Sequence, residues 1–124
     1  MSPEEFQQIA EEELANLPPQ FLDAIDNVVI AVDEFAHADT LAEMRIDNPY
    51  GLLGLYQGWP LPERGISYGG QLPDMVHLYR QPILALCVET GEEVRHCIRH
   101  VLIHEIGHYF GFSDAEMEAI ECRE

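Results

Sequence analysis

Four of the six histidines in this 124-residue chain fall at one repeat: His96, His100, His104 and His108. Between the last two stands Glu105, and the stretch from His104 to Asp114 reads HExxHxxGxxD. On a helix, residues four apart lie ~40° apart in rotation and ~6 Å apart in height. Two imidazoles so placed can grip one zinc ion, and the intervening glutamate can take a proton from water activated there. A shuffled chain of this composition holds HExxH roughly 0.04 times, but the full pattern only roughly 0.0002 times. The extended motif is therefore the informative one.

Each position has a chemical reason. A catalytic zinc takes three protein ligands and keeps a fourth position for water. His104 and His108 supply two ligands. Gly111 can turn the chain sharply after the helix, so Asp114, six residues past His108, can return a carboxylate oxygen as the third. Glu116, Glu118 and Glu121 are rival third ligands. Glu105 is the expected general base, returning its proton to the leaving amine. Tyr68, His77 and Tyr79 are candidate donors to a developing oxyanion. His96 and His100 continue the stripe but drift around the helix, so they read as a polar rim. His37 and His77 read as ordinary histidines, and Met117 as packing.

Composition bounds the rest. The chain is 47% hydrophobic with a net charge of −17, from 23 acids against six arginines and no lysine. That surface repels nucleic acid and anionic lipid, so neither is an expected partner. No run approaches the ~20 apolar residues of a membrane span. The acidic start, Met1-Ser2-Pro3-Glu4-Glu5, has no basic n-region or apolar h-region, so no signal peptide is expected. Cys87, Cys97 and Cys122 form no CxxC and cannot all pair within the chain, which suits a reducing cytoplasm. Cys87 and Cys97 read as core thiols. The length fits one domain over residues 1–124, and oligomeric state is left open.

The elements that must present the motif can be read in order. Ser2-Pro3-Glu4-Glu5 forms a capping box before a helix whose apolar residues are Phe6, Ile9, Ala10, Leu14 and Leu17. Pro18-Pro19 ends it, and a short helical turn follows around Phe21 to Ile25. Val28 to Val32 reads as a buried strand. Thr40 to Ile46 fits either a loop or a turn or two of helix. Gly51 to Tyr56 reads as a second strand, its glycines allowing close backbone approach, and Gly58 to Gln71 as a surface loop. Met75 to Arg80 reads as a third strand, with Val76 and Leu78 on one side, His77 and Tyr79 on the other, and Pro82 hinting at a sheet edge. Ile83 to Val88 fits strand or helix. Thr90 and Glu93 bracket a possible capping box before a helix over roughly Glu92 to Phe110. Ser113 and Glu116 have the same spacing before a terminal helix. The order α-β-β-β-α-α makes an α+β fold.

Three stretches carry a resemblance: Gly51-Leu52-Leu53-Gly54-Leu55-Tyr56-Gln57-Gly58-Trp59-Pro60-Leu61, Leu72-Pro73-Asp74 with His77-Leu78-Tyr79-Arg80, and His104 to Asp114. Together they resemble the small bacterial zincin-like metallopeptidase family, long catalogued as a domain of unknown function, over about Phe6 to Ile120. The resemblance implies a minimal zincin-like fold, a small mixed β-sheet backed by helices with the HExxH helix facing a cleft. It implies Zn2+ as cofactor and a peptide or protein substrate laid along an edge strand. Met75 to Arg80 would be that strand. Related metzincins usually place histidine where Asp114 stands, and no separate Met-turn follows it. The expected function is a zinc-dependent metallopeptidase. The alternative is a non-catalytic or vestigial zinc-binding module of the same fold. Endoribonucleases with HGxxHxxGxxH carry glycine where Glu105 stands, and the acidic charge opposes RNA.

Overall fold

The computed structural model describes residues 1–24, 28–58 and 74–121, with the side chains of Gln20, Asp23, Ala24, Asp114, Ile120 and Glu121 left aside. The expected loop over Gly58 to Gln71 falls largely outside this set, as do Tyr68 and Cys122. Helix α1 (Pro3–Ala15) starts on the Ser2–Glu5 capping box, with the Ser2 Oγ accepting from the Glu5 amide at 3.1 Å. Helix α2 (Pro19–Ala24) follows at once. Strand β1 (Val28–Asp33) leads to α3 (Ala38–Glu43), capped by His37 Nδ1 accepting from the Asp39 amide. A 3-10 turn over Pro49–Gly51 precedes β2 (Gly54–Gln57), and β3 (Asp74–Tyr79) runs directly into α4 (Arg80–Thr90). Helix α5 (Val94–Tyr109) carries the HExxH motif, and α6 (Asp114–Glu121) follows.

The sheet has the order β1-β3-β2, with β1 parallel and β2 antiparallel to β3. The fold is α+β, with a small mixed sheet and helices. Ile30, Val76 and Tyr56 form one row across the three strands. They face a core completed by Phe6 and Ala10 of α1 and by Ile98, Val101, Leu102 and Ile106 of α5. Burying each of these α5 side chains contributes about 1.5–3 kcal/mol, so packing rather than helix propensity fixes the motif-bearing helix. On the opposite face Tyr79 joins Ala36 and Leu52 in a smaller cluster.

Four expectations are corrected. Met75 to Tyr79 is the central strand, not an edge, because β1 and β2 pair with it on either side. Pro82 lies beyond the strand, in the first turn of α4, where its missing N–H costs no helical hydrogen bond. Strand β1 is only partly buried: Ile30 is inside, but Val29 is exposed. Its outer edge is instead blunted by Gln7, whose amide donates to the Ile30 carbonyl at 3.0 Å. Finally, Thr90 and Glu93 form no capping box. Thr90 Oγ1 donates to the Leu86 carbonyl and closes α4, while α5 begins on Glu93 without a side-chain cap. Gly91, at φ 78°, makes the left-handed turn between the two helices. Cys87 and Cys97 are buried free thiols, as expected, and burial beside Cys87 pushes the Cys97 thiol up to about 12.

Candidate metal centre and strand-edge cleft

Among the described residues β2 lies at an open edge of the sheet, and that position defines the site. The Tyr79 amide donates to the Leu53 carbonyl at 3.0 Å, which makes Leu53–Tyr79 a hydrogen-bonded pair. Alternation then turns the N–H and C=O of Gly54 and Tyr56 away from β3, toward the open edge. Helix α5 lies along this edge. A Cβ on Gly54 would sit 2.8 Å from Val101 Cγ1 and 2.9 Å from the His77 carbonyl, so only glycine permits the approach. The same Cβ would be 3.5 Å from Glu105 Cγ, and the Tyr56 backbone amide hydrogen-bonds the Glu105 carboxylate.

Two stripes on α5 therefore meet the strand differently. Val101, Glu105 and Tyr109, each four residues apart, follow Gly54, Tyr56 and Gly58 along the edge. The match is metrical: four helical residues rise about 6 Å, and two strand residues span about 6.8 Å. The neighbouring stripe holds His100, His104 and His108. The rings of His104 and His108 lie 5.7 Å apart at an interplanar angle of 82°. Two imidazoles bound to one tetrahedral zinc at Zn–N ~2.0–2.1 Å have centroids about 5 Å apart, so the separation of this pair is of the order a shared ion requires. His100 and His104 are closer, at 4.2 Å and 39°, an arrangement nearer to ring stacking than to convergent ring nitrogens. His96 turns away to Glu92, with Nδ1 2.9 Å from Oε2.

Glu105 is half-buried against β2, and burial raises its carboxyl above the ordinary 4.5, opposed by the His108 charge and the Tyr56 amide. Burial therefore makes its carboxylate a stronger base than a surface glutamate.

The C-terminal side is set by a Schellman turn. The Phe112 amide bonds the Gly107 carbonyl at 2.8 Å and the Gly111 amide bonds the His108 carbonyl at 3.2 Å, with Gly111 at φ 81° as its glycine predicts. Helix α6 then opens on a reciprocal Ser113–Glu116 box. That box engages one carboxylate oxygen of Glu116, and Glu118 is exposed. Met117 packs on Gly107, where a Cβ would lie 2.3 Å from its Sδ. The second x of HExxH is thus a glycine because α6 crosses the motif there. Asp114 begins α6, with its side chain outside the described residues, as is that of Glu121. Among the described residues no three His, Cys, Asp or Glu side chains come together as a metal-binding group. The two-histidine half of the donor set is what the described residues provide.

His77 and Tyr79 lie on the sheet face turned from the α5 core. His77 Nε2 is 3.1 Å from Gln57 Oε1, and Tyr79 is packed in the smaller cluster, its hydroxyl pushed up by burial and by the charges of Asp33 and Glu105. Gly54 permits the close backbone approach expected of the glycines in this strand, whereas sequence reasoning missed Tyr56 and Tyr109. The available signal was Tyr109 standing four residues after Glu105.

Residues 25–124 match the profile of the zincin-like metallopeptidase family. Among solved structures, a conserved hypothetical protein from Thermo thermophilus is similar, with a TM-score of 0.52 at 20% identity over 99% of this chain and 100% of that one. It shares the fold. No curated protein matches the chain.

Proposed function

Because this chain belongs to the zincin-like metallopeptidase family, we propose that it is a zinc-dependent peptidase with Glu105 as general base. The observation that supports this most directly is the placement of Glu105 between an open strand edge and two histidines suited to one ion. His104, His108 and Asp114 would hold the zinc. When bound, zinc supplies Lewis acidity at the scissile carbonyl and brings the pKa of a water toward ~7. The extended substrate lies along β2, not β3, using the outward backbone groups of Gly54 and the Tyr56 carbonyl, while the Tyr56 amide stays with Glu105. The Tyr56 amide orients the Glu105 carboxylate, which takes the proton from the attacking water and returns it to the leaving amine.

The test pairs metal analysis of chelator-free protein with a peptide-library assay on wild type and Glu105→Gln. Expected are one zinc per chain in both proteins and cleavage by wild type alone. Cleavage that survives Glu105→Gln would sink the mechanism. Zinc without any cleavage would favour a non-catalytic zinc-binding module.

A further inference from the structure

We propose that Tyr109, with Phe110 and Tyr56, forms an aromatic platform that selects peptides carrying an aromatic side chain about two residues from the bond to be cut. The position of the cut rests on the peptidase reading above, whereas recognition of the side chain does not.

The three rings form one cluster. Tyr109 stacks on Tyr56 with centroids 4.2 Å apart and planes at 29°, and Phe110 meets both edge-on, at 5.6 and 5.1 Å. Tyr56 is fixed from below: it is 7% exposed and its hydroxyl donates to Asp74 Oδ2 at 2.6 Å. The upper rings remain open, with Tyr109 47% and Phe110 36% exposed. A Cβ on Gly58 would lie 2.0 Å from Tyr109 Oη, so the ring runs along the strand from Tyr56 to Gly58.

Its distance from the chemistry follows from the helix. Tyr109 stands one turn beyond Glu105, about 6 Å along α5. An extended peptide advances about 3.3 Å per residue, so a side chain two residues from the bond at Glu105 reaches the platform. Two exposed rings on a fixed third offer stacking and edge contacts to an aromatic residue. The net charge of −17 favours cationic residues around it.

The probes are blocked nine-residue peptides of alanine and arginine with one phenylalanine moved through each position, beside a phenylalanine-free control. Glu105→Gln protein loaded with zinc is expected to bind the phenylalanine peptides about tenfold more tightly than the control, by fluorescence anisotropy. Tyr109→Phe in that background keeps the preference, and Tyr109→Ala erases it. Tyr109→Leu, which retains apolar bulk against Tyr56, replaces the alanine variant if that fails to fold. In wild type, mass spectrometry should place the cut two residues from phenylalanine as it moves. A preference unchanged by Tyr109→Ala or Tyr109→Leu overturns the platform while leaving the peptidase reading intact. A Tyr109-dependent preference without cleavage supports the platform and defeats the peptidase reading.

Discussion

At the scale of single residues, the site depends on what is missing as much as on what is present. Gly54 has no side chain, and two rigid neighbours occupy the space that one would need, Val101 Cγ1 at 2.8 Å and the His77 carbonyl at 2.9 Å. The carbonyl belongs to the central strand and cannot swing away. Gly54→Ala must therefore separate β2 from α5, and the separation opens where Glu105 meets the Tyr56 amide. The expected loss is about 1–3 kcal/mol of stability, as for other overpacked core sites. Cleavage should fall further than stability accounts for, since a displacement of about 1 Å at a catalytic group can cost about a hundredfold. Urea denaturation and kcat/KM, measured on the same preparation, separate the two. Wild-type stability in the alanine variant would mean that strand and helix are less tightly apposed. The motif histidines and Glu105 were legible in the sequence because their spacing is local. Gly54 was legible only as a place where something comes close, because what comes close, Val101 and the His77 carbonyl, lies far along the chain.

The same division holds for whole elements. The Ser2–Glu5 and Ser113–Glu116 boxes and the left-handed Gly111 are written in three or four consecutive residues, and each formed as its local pattern predicts. Thr90–Glu93 had the same spacing and failed, because Gly91 turned the chain and Thr90 was taken by the helix before it. Strand order is a nonlocal property, so nothing within Met75 to Arg80 shows that two other strands flank it. One contact fastens these elements across the chain. Arg80, at the start of α4, grips Glu34 just past β1, with Nε 2.6 Å from Oε2, and also donates to the Met1 carbonyl at 2.7 Å. Arg80 Nη2 also donates to Glu34 Oε1, and Gln81 adds a third donor to the Glu34 carboxylate. These bonds, Arg80 foremost, lower the Glu34 carboxyl from 4.5 to about 2. A carboxylate with a depressed folded pKa stabilises the fold above its unfolded value and loses that contribution as pH falls toward the folded one. Wild type should therefore exceed Glu34→Gln in urea midpoint at pH 7. The gap should shrink from pH 4.5 downward and close near pH 2. A gap independent of pH would assign the difference to packing, not charge.

At the scale of the whole molecule, one quantity acts on stability and on substrate in opposite directions. Twenty-three acids against six arginines give a net charge of −17 on 124 residues, and much of it lies on exposed helix faces such as that of α1. Self-repulsion of this size destabilises the compact state and is screened by salt, the Debye length falling from ~30 Å at 0.01 M to ~8 Å at 0.15 M. The melting temperature should rise over that range. On the peptidase reading the same charge would draw a cationic peptide toward the strand edge, and screening would weaken that attraction. For an arginine-containing substrate, kcat/KM should fall as salt rises, chiefly through a slower encounter. An uncharged peptide of the same core sequence should show no such fall. Differential scanning calorimetry and initial rates across one salt series test both effects on one protein. If kcat/KM for the two peptides falls in parallel, salt acts on the site itself and charge plays no part in choosing the substrate. If they diverge while the melting temperature climbs, the acidic surface steers cationic substrates and the aromatic platform is left to read the side chain two residues from the cut.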